Sequence, residues 1–319
     1  MGNLDSVKYL IILLLFLIQC SSPVKDDLEQ GTTNEPYLIV LGNVQDAGTP
    51  QAGCQKSCCT DLFENPDPTK MVVSLGLVEA KTQSSWLFEA TPDLPRQMKM
   101  LAKEIHSRSE TPNGIFLTHA HIGHYTGLMF LGHESMGAEN VSVYAMPRMK
   151  EYLEENGPWN QLISFNNITI NSLGDESKVE LTDNLSVTPF LVPHRDEYSE
   201  TVGYKISGPN KSAIFIPDID KWRKWQKDIS SEIASVDYAF LDATFFDGNE
   251  VNRDMSEIGH PFVVESLELF KNLSVEEKAK IHFIHFNHTN PLLNPESAQS
   301  KLVLERGFKI ARFKDRFGL

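Results

Sequence analysis

Hydrophobic positions fall into short apolar runs separated by amphipathic stretches, the alternation expected of a layered α/β domain. "YLIVLGNV" is an unbroken apolar run of buried-strand length. "MVVSLGLVEA" and "SSWLFEA" read as an antiparallel pair joined by the polar "KTQS". Helical spacing follows in "PDLPRQMKMLAKEIHSR", and "GIFLTHAH" is a buried strand running into a histidine loop. "VSVYAMPRMKEYLEEN" reads as a strand and then a helix. The next third is strand-rich: "NITINSL", "KVELTDNLSVTPFLVPH", "TVGYKISG" and "SAIFIPDID". Alternation returns with the strand "DYAFLDATFF", a helix around "PFVVESLELFKNL", the strand "KIHFIHF" and a last helix beginning near Pro295. The pattern predicts two β-rich layers flanked by helices, with no short internal repeat.

The N-terminus departs from this pattern. Residues 1–20 carry one lysine, Lys8, then an apolar run from Tyr9 to Ile18 ending at Cys20. That run is short for a membrane span and has the form of a secretory core. "LIQC" resembles a bacterial lipoprotein box, which makes Cys20 the expected lipidation site; an uncleaved anchor or a plain secretory peptide are the alternatives. Met1, Gly2 and Ser6 also fit a myristoylation pattern, an assignment that the export signal behind them disfavours. Residues 21–35 are polar and aperiodic, a flexible tether. Residues 36–319 form the expected folded domain, held at the bacterial cell envelope through a lipid on Cys20.

Composition adds one constraint. Of 319 residues, 41% are hydrophobic and 23% charged, with a net charge of -14. So acidic a chain, with no basic arm, disfavours a nucleic acid partner and leaves a small-molecule substrate as the expectation.

The ten histidines are unevenly placed. His119, His121 and His124 share one loop, and residues two apart on an extended segment face one side, so His119 and His121 can share an ion. His194, Asp218 and His285 each close an apolar strand, and strand ends of a layered sheet cluster. Asp218 is the natural bridging carboxylate, although "PDID" also suits a capped turn. His260 opens the helix of "GHPFVV", while His106 and His133 read as surface residues. Neutral imidazoles with a carboxylate suit Zn²⁺, Fe²⁺ or Mn²⁺.

"THAHIGHYTG", a later lone histidine, an aspartate after a strand and a final histidine after a strand together resemble the metallo-β-lactamase superfamily. "LGNVQDAGTPQAGC" and "HFNHTNPLL" look like blocks of its pyrroloquinoline-quinone biosynthesis protein B group, with likeness to the phosphodiesterase of the carbon–phosphorus lyase pathway and to ribonuclease Z. The resemblance implies an αββα sandwich with metals at one edge of its two sheets. It implies that His119, His121 and His194 hold a first metal and that His124, Asp218 and His285 belong to a second, with Asp218 bridging. A hydroxide on the metal is the implied nucleophile. Catalytic roles fall to Asp218 and, as candidate general acid, to His260.

The superfamily pattern is His-x-His-x-Asp-His, and Gly123 stands at its aspartate. Asp46 in "NVQDAG" is a candidate replacement carboxylate; a turn residue before Gly48 is the plainer reading. Cys54, Cys58 and Cys59 lie together in "GCQKSCCTDL". Three thiols with His288 make a structural zinc site, whereas a disulfide with one spare thiol is the alternative in an oxidising compartment. Three functions compete: a hydrolase of esters, phosphodiesters or amides with one or two zinc ions; an iron-dependent, oxygen-using enzyme; and a non-catalytic metal-binding surface lipoprotein.

Overall fold

The computed structural model describes residues 35–319 except 252, 253 and 256. The expected signal peptide, with Cys20, and nearly all of the expected tether lie outside the described residues. Among those residues, no helix is long and apolar enough to cross a membrane.

Among the described residues, fourteen strands form two seven-stranded sheets. The first holds β1 (Tyr37–Gly42), β2 (Ser74–Glu79), β3 (Ser84–Phe88), β4 (Gly114–Phe116), β5 (Val141–Ala145), β6 (Ile168–Ser172) and the last strand, β14 (Arg316–Gly318). The second holds β7 (Val179–Thr182), β8 (Leu185–Leu191), β9 (Val202–Ser207), β10 (Ser212–Ile216), β11 (Tyr238–Asp242), β12 (Ile281–Ile284) and β13 (Lys309–Ile310). Their orders are β14-β1-β2-β3-β4-β5-β6 and β13-β12-β11-β10-β9-β8-β7. Each sheet is antiparallel on one side and parallel on the other. Parallel neighbours need a crossover connection, and helices supply it, Leu94–Glu104 between β3 and β4 and Ile229–Ala234 between β10 and β11.

The layers follow from the apolar pattern. The expected pair "MVVSLGLVEA" and "SSWLFEA" is antiparallel, with Leu77 opposite Trp86. Side chains of both sheets meet in one core that includes Phe88, Phe116, Tyr204, Phe215 and Phe240. Phe116 stacks on Phe88 and Tyr144 at centroid separations of 5.2 and 4.3 Å. Burying each such ring contributes about 1.5–3 kcal/mol. The helix Leu94–Glu104 buries Leu94, Met98, Leu101 and Ala102, a stripe at helical spacing, against the outer face of the first sheet. Helices Ile229–Ala234 and Val263–Leu269 cover the second sheet in the same way. The result is the expected αββα sandwich.

Several local expectations need correction. The last helix begins at Ala298 behind the cap of Ser297, which accepts a hydrogen bond from the Ser300 backbone N–H. Beyond it the chain adds two short strands, β13 and β14, the latter pairing Phe317 with Leu38 in the other sheet. The strand in "GIFLTHAH" ends at Phe116, so Leu117 to His121 are loop. His260 does not open a helix. Pro261 follows it, Phe262 takes the cap position, and Glu265 accepts a hydrogen bond from the Phe262 N–H at 2.8 Å.

Candidate metal centre

The C-terminal ends of β1, β3, β4, β8, β10, β11 and β12 open on one edge of the sandwich. Tyr204, on β9 of the second sheet, donates its hydroxyl to the Leu117 carbonyl and so ties the root of the histidine loop across the two sheets. The loop then turns into a single helical turn, Ile122–Tyr125, which carries His124.

Six imidazoles surround Asp218. One carboxylate oxygen, Oδ1, lies 3.3 Å from His194 Nε2 and 3.1 Å from His260 Nδ1. The other, Oδ2, lies 3.5 Å from both His119 Nε2 and His124 Nε2 and 3.9 Å from His285 Nε2. His121 completes the ring, its Nδ1 being 2.8 Å from His119 Nε2 and 3.3 Å from His194 Nε2. Ligand atoms of His119, His121, His194 and Asp218 all lie within 4.8 Å of one another. The same holds for Asp46, His124 and His285, and for Asp218, Asp242, His260 and His285. Every sequence-predicted ligand of the centre is thus brought to one edge.

The donor atoms ask for a cation. Buried Asp218 Oδ1, His285 Nε2 and His124 Nε2 have no hydrogen-bond partner. An unmet buried donor or acceptor costs about 1–3 kcal/mol, so several of them aimed at one point fit an ion that takes their lone pairs. Burial pushes the Asp218 carboxyl up, but the imidazoles of His194, His260 and His285 outweigh it and hold it well below the usual carboxylate range. Burial holds His119 well below its ordinary value and therefore neutral, the form in which imidazole is a ligand.

Three polar residues behind the ligands escaped the sequence reading. Asp242 closes β11 and lies 2.8 Å from His260 Nδ1. It also accepts hydrogen bonds from the Ile219 backbone N–H and from the Thr244 hydroxyl and N–H. Glu89, just past β3, accepts from the Thr118 hydroxyl at 2.6 Å and lies 3.3 Å from His124 Nδ1. Asp220 lies 3.5 Å from His194 Nδ1. The signal was present: "YAFLD" and "WLFE" end apolar strands in a carboxylate, as "IFIPD" does. Glu89 and His285 both hold positive φ, at 80° and 67°. Non-glycine residues there cost about 1–3 kcal/mol each, a strain concentrated where the ligands must be aimed.

The cysteines form a second cluster. Cys58 and Cys59 sit in the first turn of the helix Ser57–Glu64, and ligand atoms of Cys54, Cys58, Cys59 and His288 lie within 4.8 Å of one another. All three thiols are free; Cys58 and Cys59 sulfurs are 3.9 Å apart against about 2.05 Å for a disulfide. The disulfide alternative is therefore not adopted. Burial and the neighbouring Cys59 push the Cys58 thiol up to about 12. His106 and His133 are exposed on the surface, and His282 packs between the sheets against Phe240 and Phe317.

The fold and the histidine–aspartate centre define the class, and the chain belongs to the beta-lactamase superfamily: the family model "Beta-lactamase superfamily domain" matches residues 85–283. Within it the chain is similar to coenzyme PQQ synthesis protein B of Methylorubrum extorquens, 23% identical over 303 residues that cover 86% of this chain and 97% of the relative. The fold is similar to that of zinc-bound PqqB from Methylobacterium extorquens, with a TM-score of 0.72 and 22% identity over 89% of this chain and 100% of the other. It is also similar to a diphosphatase from the PhnP family, with a TM-score of 0.62 and 19% identity over 89% of this chain and 97% of the other.

Proposed function

We propose that the chain is a metal-dependent hydrolase of a small ester, phosphodiester or amide. The observation that carries this reading is the convergence of five imidazoles and of unpartnered buried atoms on the two oxygens of Asp218. His119, His121 and His194 would hold one ion and His124 and His285 a second, with Asp218 shared. When bound, zinc or a similar ion acidifies water and stabilises negative charge developing on the attacked group. The names of the PqqB and PhnP-family relatives leave the reaction type open, and the donor set suits zinc, with iron or manganese as alternatives.

The chain's own residues supply proton handling. Asp242 accepts from Nδ1 of His260, which fixes the tautomer and leaves Nε2 to hold a proton. His260 would give that proton to the leaving oxygen or nitrogen as its bond to carbon or phosphorus breaks, acting as general acid. Asp242 is a positioning residue, itself oriented by Thr244 and the Ile219 N–H. A membrane anchor through Cys20 belongs to the same proposal, supported by the apolar run ahead of it. A Cys20→Ala chain found fully in the soluble fraction would support the anchor, and one still membrane-bound would refute it.

Elemental analysis of native protein, coupled to a panel of phosphodiester, lactone and lactam substrates, tests the reading. Two zinc per centre and chelator-sensitive hydrolysis support it. Iron with oxygen-dependent turnover would replace it by an oxidase reading, and a centre without metal would refute it.

A further inference from the structure

Gly123 stands where the superfamily pattern carries a carboxylate, and the fold leaves no room for one. A Cβ built at position 123 would overlap Cα and Cβ of Asp46 and lie 2.6 Å from its carbonyl oxygen. The Asp46 backbone therefore rests on the bare face of Gly123, and its carboxylate lies within 4.8 Å of the ring nitrogens of His124 and His285. A carboxylate arriving from β1 and one arriving from position 123 are sterically exclusive.

Asp46 sits in a turn closed by the Gly48 N–H donating to the Gln45 carbonyl at 2.9 Å. Upstream the turn is firmly held: Val44 bridges both Val72 and Phe286, and the Gln45 N–H donates to the Phe286 carbonyl at 2.8 Å. Downstream the backbone swings away from the body. Gly48 and Gly53 hold φ of +76° and +75°, and a Cβ at either would meet nothing within 4 Å. The chain is caught again at the thiol cluster, where the Gln51 N–H donates to Cys59 Sγ at 3.4 Å. His288, the cluster's fourth donor, lies on the segment that also supplies His285. Three cysteines and one histidine are a tetrahedral zinc set.

We infer that Asp46 supplies the carboxylate of the second active-site ion and that the cluster Cys54, Cys58, Cys59 and His288, loaded with zinc, is the clasp that holds the Asp46 loop in place. The inference rests on the two-ion reading given above. Ordering a loop costs conformational entropy, so a loop tied at both ends presents Asp46 with much of that cost already met by the clasp. Removing the clasp leaves every active-site ligand in the chain and still loosens one ion position, whereas the position held by His119, His121 and His194 does not touch the loop.

Cobalt titration of the full chain tests this, because thiolate-bound cobalt absorbs differently from cobalt on nitrogen and oxygen ligands. Asp46→Asn should keep the thiolate signal and weaken one nitrogen–oxygen site by roughly 10–100-fold, the effect usual for a lost supporting group. Cys54→Ser/Cys58→Ser should lose the thiolate signal and weaken the same site by about tenfold or more, leaving the other unchanged. Where that variant fails to fold, a mercurial that ejects the thiol-bound ion from the unmodified chain gives the same measurement. Unchanged affinity after loss of the clasp, or in Asp46→Asn, overturns the inference. A wild-type centre that binds one cobalt instead overturns the two-ion reading beneath it, and that result is visible before any variant is made.

Discussion

His119 and His194 reach the metal centre from the loops that follow β4 and β8, whereas Asp46 reaches it from a turn that leaves the body of the protein two residues later. The first group is fixed by packing that the whole sandwich supports: the Tyr204 hydroxyl on Leu117, the Thr118 hydroxyl on Glu89, and the backbone of β8 paired along its length with β9. Asp46 is fixed by its steric seat on Gly123, by the Val44 bridges to Val72 and Phe286 upstream and, on the inference above, by the thiol cluster. On that inference the Asp46 contribution to the centre can be loosened while the fold persists.

Asp218→Asn should have the largest effect, because both halves share that carboxylate. Asparagine keeps the size and removes the negative charge that the imidazoles face. The loss of several kcal/mol of charge stabilisation corresponds to about a thousandfold or more in kcat. A variant with full activity would remove Asp218 from the bridging position. Gly123→Ala comes next and sharpens the contrast. It deletes no ligand, but its methyl takes the place of the Asp46 backbone. It should lower affinity at the Asp46 side roughly 10–100-fold and leave the His119–His121–His194 side untouched, read by the same metal titration. Equal weakening of both sides would mean that the halves are not separable.

Asp242→Asn probes the proton-handling residue instead of the ions. The carboxylate keeps the His260 ring oriented, and an amide can present its N–H to Nδ1 and so favour the wrong tautomer. Expected is a fall in kcat of about 10²-fold with KM and metal content little changed, within the range for general acid–base catalysis. The limb of the kcat–pH profile assigned to His260 should also move. A fall in metal content of the same size would make Asp242 a ligand instead.

The contrast between the two halves also explains what could be read from the chain. The layers were legible because "YLIVLGNV", "SAIFIPD" and "KIHFIHF" are too apolar to lie anywhere but between layers, and strand ends in a layered sheet converge. The same rule placed His194, Asp218 and His285 at one edge, and it would have placed Asp242 and Glu89 there had it been applied to every strand. Position 123 was legible as a gap and Asp46 as a candidate to fill it. Their contact was not, because it depends on where a loop of turn residues comes to rest. The strands β13 and β14 were missed for a related reason: two- and three-residue strands carry too few positions for an alternating pattern.

Acid provides the smallest effect and the check on all the others, because it both strips metals from histidines and loads the one histidine packed between the sheets. His282 lies with its ring centroid 4.6 Å from Phe317 and 5.5 Å from Phe240, and burial, with a smaller push from Lys309, lowers it from 6.5 to about 4. The folded protein therefore keeps His282 neutral where the unfolded chain takes up a proton. Its contribution to stability is complete above pH 6.5 and is lost progressively as the pH falls towards about 4. That lowering corresponds to roughly 3 kcal/mol at most. In metal-free protein, His282→Leu should flatten the urea midpoint between pH 6.5 and 4 relative to the parent chain, with no change in metal affinity at neutral pH. An unaltered slope would remove His282 as a source of the acid sensitivity of the fold.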